Sequence, residues 1–432
     1  MGRTKKNKIL DLYLNGLLVG KLNKQPSGLI SFRYENNWLD EGMAISQSMP
    51  LQEDEYRGEI VARYFDNLLP DNEEIKKLVA TKFGAESTKS FDLLSAIGMD
   101  CVGALSFLPE GQEPGDITKT DYSQLTPKEI AKTLRGLGRA TPLGMSEDED
   151  FRLSIAGAQE KTAFLSVNGK WCKPHGMTPT THIFKTSIGA LGDDTNFDDS
   201  VDNEWTSLKI LEKFGLPVCE AKIGEFEDQR ALIVKRFDRR WEKLKGKNFL
   251  LRVPQEDMCQ ALGISPYKKY QSDGGPGISD IAKLLRSSLN EVDRENFFKA
   301  ILIFDLLYAT DGHAKNFSLF IQKDGIRLTP FYDVMSAYFL HRREKRALQK
   351  FKLAMKVGES GHYDFKRINL KHYRETASQC GFSQDKFDQI YEDIKSSYSK
   401  LSFNKKELGA QINHETVSLI LEGIEKRAKK LF

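Results

Sequence analysis

Two apolar runs meet at Asn15-Gly16 within residues 12–20, and Asn-Gly is the pair that a tight hairpin turn favours. Residues 29–34 alternate apolar and polar like a half-buried strand. Residues 60–69 switch to helical spacing and stop at Pro70. Two further helices are predicted over 72–83 and 90–97. The first 110 residues therefore read as a separate α+β domain. They carry no recognisable chemistry, so packing or partner binding is the expected role. Residues 111–150 are rich in Pro, Gly and acidic residues and read as a linker with one amphipathic helix at 127–137. Strand patterns return at 151–154, 162–167 and 181–185. A helix over 201–214 follows, then strands at 218–223 and 231–237. Beyond about 255 the pattern is mainly helical.

One helical segment stands out. Residues 297–309 (FFKAILIFDLLYA) are apolar on nearly every side, which predicts a buried helix. Directly after it come Asp311-Gly312-His313-Ala314-Lys315-Asn316, then the strand-like FSLFI, an Asp324-Gly325 turn, and IRLTPFYD ending at Asp333. Helix, loop, hairpin and acidic residue follow the order of a kinase C-terminal lobe. An Asp, an Asn five positions on and a later Asp suit phosphoryl transfer: one carboxylate takes the acceptor's proton, and hard oxygens hold the magnesium that bridges ATP's phosphates. The spacing alone is common, since Asp198/Asn203 and Asp364/Asn369 repeat it. Asp311 and Asn316 would also serve as ordinary helix-end and turn residues.

The remaining parts of such a site have candidates upstream. Lys185 ends the strand pattern, and Glu204 lies nineteen residues later on the predicted helix, a spacing that suits a phosphate-binding lysine and the carboxylate that aims it. Two unrelated surface charges would look the same. Residues 154–162 (SIAGAQEKT) contain small residues that let backbone amides approach phosphate, although a plain hairpin turn fits the pattern as well. The strand ending at Lys235-Arg236-Phe237 would join the lobes and meet adenine. His313 sits where many protein kinases have a lysine; this Asp-x-His-x-x-Asn order is nearer to aminoglycoside and lipid kinases and keeps a small-molecule acceptor open.

Composition narrows the class. With 432 residues, 40% hydrophobic and 29% charged, the chain suits two or three domains, and a formal charge of +3 points neither toward nor away from nucleic acid. No apolar run approaches the roughly 18–20 residues that span a bilayer. Five dispersed cysteines form no C-x-x-C pair and read as reduced core thiols. The basic run His341-Arg342-Arg343 through Arg346 reads first as a solvated helix face and second as a contact for phosphates.

Together, residues 154–162, His182-Ile183-Phe184-Lys185, Asp311 through Ser318 and Tyr332-Asp333 resemble the motifs of the HipA-type serine/threonine kinase toxins of bacterial toxin–antitoxin systems. The N-terminal hairpin resembles that family's N-terminal subdomain. The resemblance implies an α+β fold class: an N-terminal domain (1–110), a linker (111–150), a β-rich kinase small lobe (151–237) and a mainly helical large lobe (238–432). It implies that Asp311 is the catalytic base and that Asn316 and Asp333 hold Mg2+. ATP would be bound by Ala156, Gly157, Ala158, Gln159, Glu160, Lys161, Lys185, Lys235, Arg236, Phe237, His313 and Lys315, with Glu204 orienting Lys185. It further implies autophosphorylation at Ser154 and a helix-turn-helix antitoxin of the HipB type that carries the kinase to operator DNA. The expected target is a translation component, glutamyl-tRNA synthetase first, whose phosphorylation leads to dormancy and multidrug tolerance. The expected location is the bacterial cytoplasm, with the nucleoid when DNA is bound. A retired kinase fold serving only as co-repressor is the non-enzymatic alternative.

Overall fold

The computed structural model describes residues 7–137, 159, 161–190, 196–244, 246–343, 351–409 and 411–432. In the N-terminal domain, β1 (Lys8–Leu14) and β2 (Leu17–Lys24) form the expected hairpin, with Asn15 and Gly16 both left-handed at φ +48° and +85°. With β3 (Ile30–Tyr34), β4 (Tyr56–Arg57) and β5 (Leu105–Pro109) they make an antiparallel sheet in the order β4-β3-β2-β1-β5. Helices α1 (Asn36–Glu41), α2 (Glu59–Asp66), α3 (Glu73–Phe83) and α4 (Ser90–Ile97) accompany it. Leu12, Val19, Phe32, Phe65 and Phe107 fill the core, and Phe65 meets Phe32 and Phe107 edge-on at 6.0 and 5.7 Å. Helix α2 ends at Asp66 rather than at 69. Leu68 and Leu69 still enter the core, which is why the apolar spacing outruns the helix.

The middle of the chain forms a six-stranded sheet in the order β12-β13-β9-β7-β8-β6. Its strands are β6 (Tyr122–Gln124), β7 (Lys161–Val167), β8 (Lys170–Pro174), β9 (His182–Thr186), β12 (Ala221–Phe226) and β13 (Gln229–Lys235). A small hairpin, β10 (Gly189–Ala190) and β11 (Asn196–Phe197), precedes α6 (Ser200–Lys213). Two expectations shift here. The segment expected as a linker supplies the edge strand β6 and helix α5 (Pro127–Gly136), whose Ile130, Ala131 and Leu134 pack with Phe164 and Phe184. The strand expected at 218–223 lies at 221–226, because Val218 instead bridges to Phe331 in the large lobe. The strand expected at 151–154 lies outside the described residues.

The large lobe begins with the hairpin β14 (Arg239–Leu244) and β15 (Lys247–Arg252), followed by β16 (Gln255–Asp257), α7 (Met258–Ala261) and α8 (Ile278–Leu284). Its centre is α9 (Asp293–Leu306), followed by β17 (Ser318–Gln322), which pairs with β16, and β18 (Gly325–Leu328), which pairs with β17. Next come α10 (Tyr338–Arg343), the hairpin β19 (Lys352–Val357) and β20 (His362–Asp364), and α11 (Leu370–Gln379), α12 (Gln384–Ser399), α13 (Lys405–Leu408) and α14 (His414–Leu431). Helix α9 is buried all round, which explains its missing periodicity. Its Asp305 is satisfied by Arg427 of α14 at 2.6 and 2.7 Å and by Tyr373 of α11 at 2.8 Å. A buried charge costs several kcal/mol unless paired, so this contact fixes the three helices in register.

Two buried polar clusters are among the contacts that seat the N-terminal domain on the rest of the chain. Asp100 meets Arg239 at 2.7 Å and accepts from Thr180, while Arg236 spans Asp238 and the Cys101 carbonyl. Glu256 accepts from Ser46 at 2.5 Å and from the Gln47 amide at 2.8 Å. All five cysteines are free and buried, as expected for core thiols. Among the described residues no helix is long and apolar enough to cross a membrane.

Candidate active site

Strand β9 delivers Lys185 into the cleft between the lobes, and α6 delivers Glu204 from the side. The Lys185 ammonium donates to Glu204 Oε1 and Oε2 at 2.7 and 3.0 Å and to Asp333 Oδ1 at 3.0 Å. Burial alone would lower the Lys185 pKa, but Asp333 and Glu204 outweigh it and hold it above the usual value. Burial raises Glu204, against the pull of Lys185. Asp333 goes the other way: despite burial, Lys185 and Lys161 hold it below the carboxylate range. Its backbone is left-handed, at φ +57°, a conformation rare outside glycine and concentrated at functional positions.

The catalytic-loop candidate follows the C-terminus of α9. Gly312 is required where it stands, since a Cβ there would lie 2.5 Å from the Phe304 ring. Asn316 folds back and donates Nδ2 to the Asp311 carbonyl at 2.6 Å, which leaves its amide oxygen as the acceptor. Asp311 is half exposed, with His313 Nε2 3.6 Å from its Oδ1. His313 is buried, and that burial lowers its pKa. The look-alike spacings do other work. Asn369 caps α11, and Asn203 exchanges two 2.8 Å hydrogen bonds with the Ser336 backbone, fixing the segment just after Asp333.

Lys185, Glu204, Asp311, His313, Lys315, Asn316 and Asp333 line one cavity of about 480 Å³, within the usual size range of small-molecule sites. Ile183, Phe237, Met335 and Leu340 give it an apolar wall. Lys161, paired in register with Lys185 across β7 and β9, points a second buried ammonium at the same place. Burial and the charge of Lys185 lower its pKa to about 8. Gln159 also lines the cavity and donates to the Thr186 carbonyl. Ser154, Ala156, Gly157, Ala158 and Glu160 lie outside the described residues. Among the described residues no cluster of three or more His, Cys, Asp or Glu could hold a metal alone. The Asn316 and Asp333 oxygens fit magnesium, which is commonly held by one or two protein ligands together with substrate phosphates.

Three ATP-site expectations change in detail. Arg236 lines the cavity, but its guanidinium is turned into the interdomain cluster with Asp238 and Cys101. Lys235 also lines the cavity, but its ammonium pairs with Glu220 at the surface at 2.8 Å. Lys315 is buried and donates to Asn67 and Asp71 of the N-terminal domain. The domain expected to carry no chemistry therefore reaches the cleft. Asn67, Asp71, Asp257, Lys269 and Tyr270, with Asn203 behind the segment after Asp333, are among the site residues that sequence reasoning missed. Only Tyr270 had a local signal, the dense turn sequence Gly274-Gly275-Pro276-Gly277 just after it.

A β-rich lobe and a helical lobe enclosing a lysine–carboxylate pair, an Asp-x-x-x-x-Asn loop and a further Asp define a protein-kinase-like fold. The HipA N-terminal domain model matches residues 10–108, and the HipA-like C-terminal domain model matches residues 153–401. The chain belongs to the HipA family of serine/threonine kinases. It is 30% identical over 348 residues to the serine/threonine-protein kinase toxin HipA of Shewanella oneidensis, covering 77% of this chain and 76% of that protein. It is 32% identical over 336 residues to protein Y4mE of Sinorhizobium fredii, covering 76% and 77%. The fold matches HipA of Shewanella oneidensis MR-1, solved with HipB and operator DNA, at a TM-score of 0.75 and 23% identity over 98% of this chain and 97% of that one.

Proposed function

We propose that the chain is an active, ATP-dependent protein kinase that serves as the toxin of a toxin–antitoxin pair. The observation that carries this reading is Lys185, buried and held at 2.7–3.0 Å between Glu204 and Asp333 in the cavity that Asp311 also lines. In this reading the apolar wall takes adenine, and Lys185 and Lys161 take the phosphates. Asn316 and Asp333 would hold magnesium, which would supply charge neutralisation to ATP's phosphates. Asp311 accepts the proton of a serine or threonine hydroxyl. That oxygen bonds to the γ-phosphorus, and the bond to the bridging oxygen breaks, with its electron pair leaving on ADP.

Kinship with the HipA family supports the finer parts. Ser154 is the proposed autophosphorylation site; about −1.5 to −2 of added charge there would repel ATP's own phosphates and silence the enzyme. A translation protein, with glutamyl-tRNA synthetase first, is the proposed target. A HipB-type helix-turn-helix antitoxin and its operator DNA are the proposed partners.

The test is intact mass after incubation of unmodified protein with Mg-ATP, beside Asp311→Ala. The expected result is one added phosphate that maps to Ser154 and is missing from Asp311→Ala. Transfer to a sugar or antibiotic but to no protein would replace this reading with a small-molecule kinase. ATP binding without any turnover would replace it with a co-repressor.

A further inference from the structure

A strap between α7 and α8 lies along the catalytic loop. Ser265 caps a short 3-10 turn (Pro266–Lys268), a second turn spans Gln271–Asp273, and Gly274 closes it at φ +87°. Gly275 has no room for a Cβ, which would collide with the Lys268 carbonyl. Three contacts fix the strap in place. The Ala314 amide of the catalytic loop donates to the Lys269 carbonyl at 3.2 Å. The Lys269 ammonium reaches Asp71 of the N-terminal domain at 2.8 Å. Gln271 accepts from the Lys356 amide of β19 at 2.8 Å.

Between these anchors stands Tyr270. Its hydroxyl donates to Oδ1 of Asp311, and its ring meets His313 edge-on at 4.9 Å and 88°. Oδ1 is also the oxygen facing His313 Nε2, and among the described residues Oδ2 has no hydrogen-bond donor. A general base works only when a third group fixes its orientation, because the proton must pass along one short, aligned path. We infer that Tyr270 is the positioning residue of the catalytic base: its hydroxyl holds Oδ1 of Asp311 and leaves Oδ2 to take the acceptor's proton. This inference rests on the kinase reading above.

The other groups around this pair are His313 on the catalytic loop, Lys269 and Asp273 on the strap, Asp71 on the N-terminal domain, and Asp333 across the cleft.

The experiment compares phosphate transfer by the full-length chain with that by Tyr270→Phe, which keeps the ring against His313. In the variant kcat is expected to fall at least about tenfold, with KM for ATP within about threefold. An unchanged kcat would overturn the inference. So would a faster variant, which would make the phenol an occupant of the acceptor's place. If the wild-type chain transfers no phosphate at all, the kinase reading fails separately. The contact is then read by 13C-tyrosine NMR, with Tyr270 assigned through Tyr270→Phe. The phenol is expected to stay neutral at about pH 10, where a free phenol is half ionised, and to titrate at lower pH in Asp311→Asn. The same titration in both proteins would overturn the positioning role.

Discussion

Lys315, in the loop that follows α9, donates to the carbonyl and the side-chain oxygen of Asn67, at the end of α2, at 3.1 and 3.0 Å. Asp71 lies 3.1 Å away and Asp257 3.7 Å. Burial alone would lower the Lys315 pKa, but Asp257 and Asp71 hold it above the usual lysine value. Its ammonium is the rivet between the two domains. Lys315→Met would leave Asp257 buried without its cation and Asp71 with Lys269 alone, at a cost of about 3 kcal/mol. A urea titration should show the lower midpoint, and hydrogen exchange should show earlier opening around Asn67. An unchanged midpoint would mean that water reaches those carboxylates and the rivet carries no load.

Glu204 touches no reacting atom, yet it fixes where Lys185 can reach. In Glu204→Gln the ammonium keeps Asp333 but loses its charged partner on α6. A misplacement of about 1 Å at such a site costs on the order of a hundredfold in rate. The expected outcome is a loss of that order in kcat for phosphate transfer, with the thermal midpoint checked alongside to separate misaiming from unfolding.

In the proposed reading, Lys161 makes ATP binding depend on pH. Its pKa of about 8 means that the ammonium is charged below that value and neutral above it. ATP's phosphates favour the charged form, so binding should be full below pH 8 and weaken as pH rises through it. Between pH 7 and pH 9 the dissociation constant should rise by about tenfold, the limit for one proton taken up on binding. Lys161→Met should bind ATP more weakly at pH 7 and show no further loss through pH 8. Calorimetric titration at the two pH values reads both effects.

Much of this site was legible because its parts sit close together in sequence and in a fixed order. Asp311 ends an apolar helix, Asn316 precedes a strand, and Asp333 follows the hairpin, so local patterning alone lays out the loop. Lys185 and Glu204 are legible for the same reason, on a strand and on the helix that follows it. Asn67 and Asp71 are not. In sequence they look like turn residues around Pro70, and their meaning comes only when the fold brings them to a lysine nearly 250 positions away. Strand β6 was hidden because its three residues are all exposed and show no alternation. Arg236 was misjudged because an arginine after a strand gives no sign of which side of the chain its guanidinium will take.

Glu256 ties domain docking to pH in a direction unusual for a carboxylate. It is fully buried beneath the Ser46–Gln47 loop, and burial raises its pKa to about 8, against the hydrogen bonds from Ser46 and the Gln47 amide. In the unfolded chain the same group titrates near 4.5. Between those values the folded protein holds a proton that the unfolded chain has released. Stability from this group is therefore complete at low pH and falls as pH rises toward 8, by at most about 1.4 kcal/mol per unit. Glu256→Gln keeps the shape and removes the charge, so it should flatten this dependence and be the more stable form above pH 8. Urea midpoints at pH 6, 7 and 8 for both proteins decide the matter. Parallel curves would mean that Glu256 is ionised in place and that Ser46 and the Gln47 amide hold it as an anion.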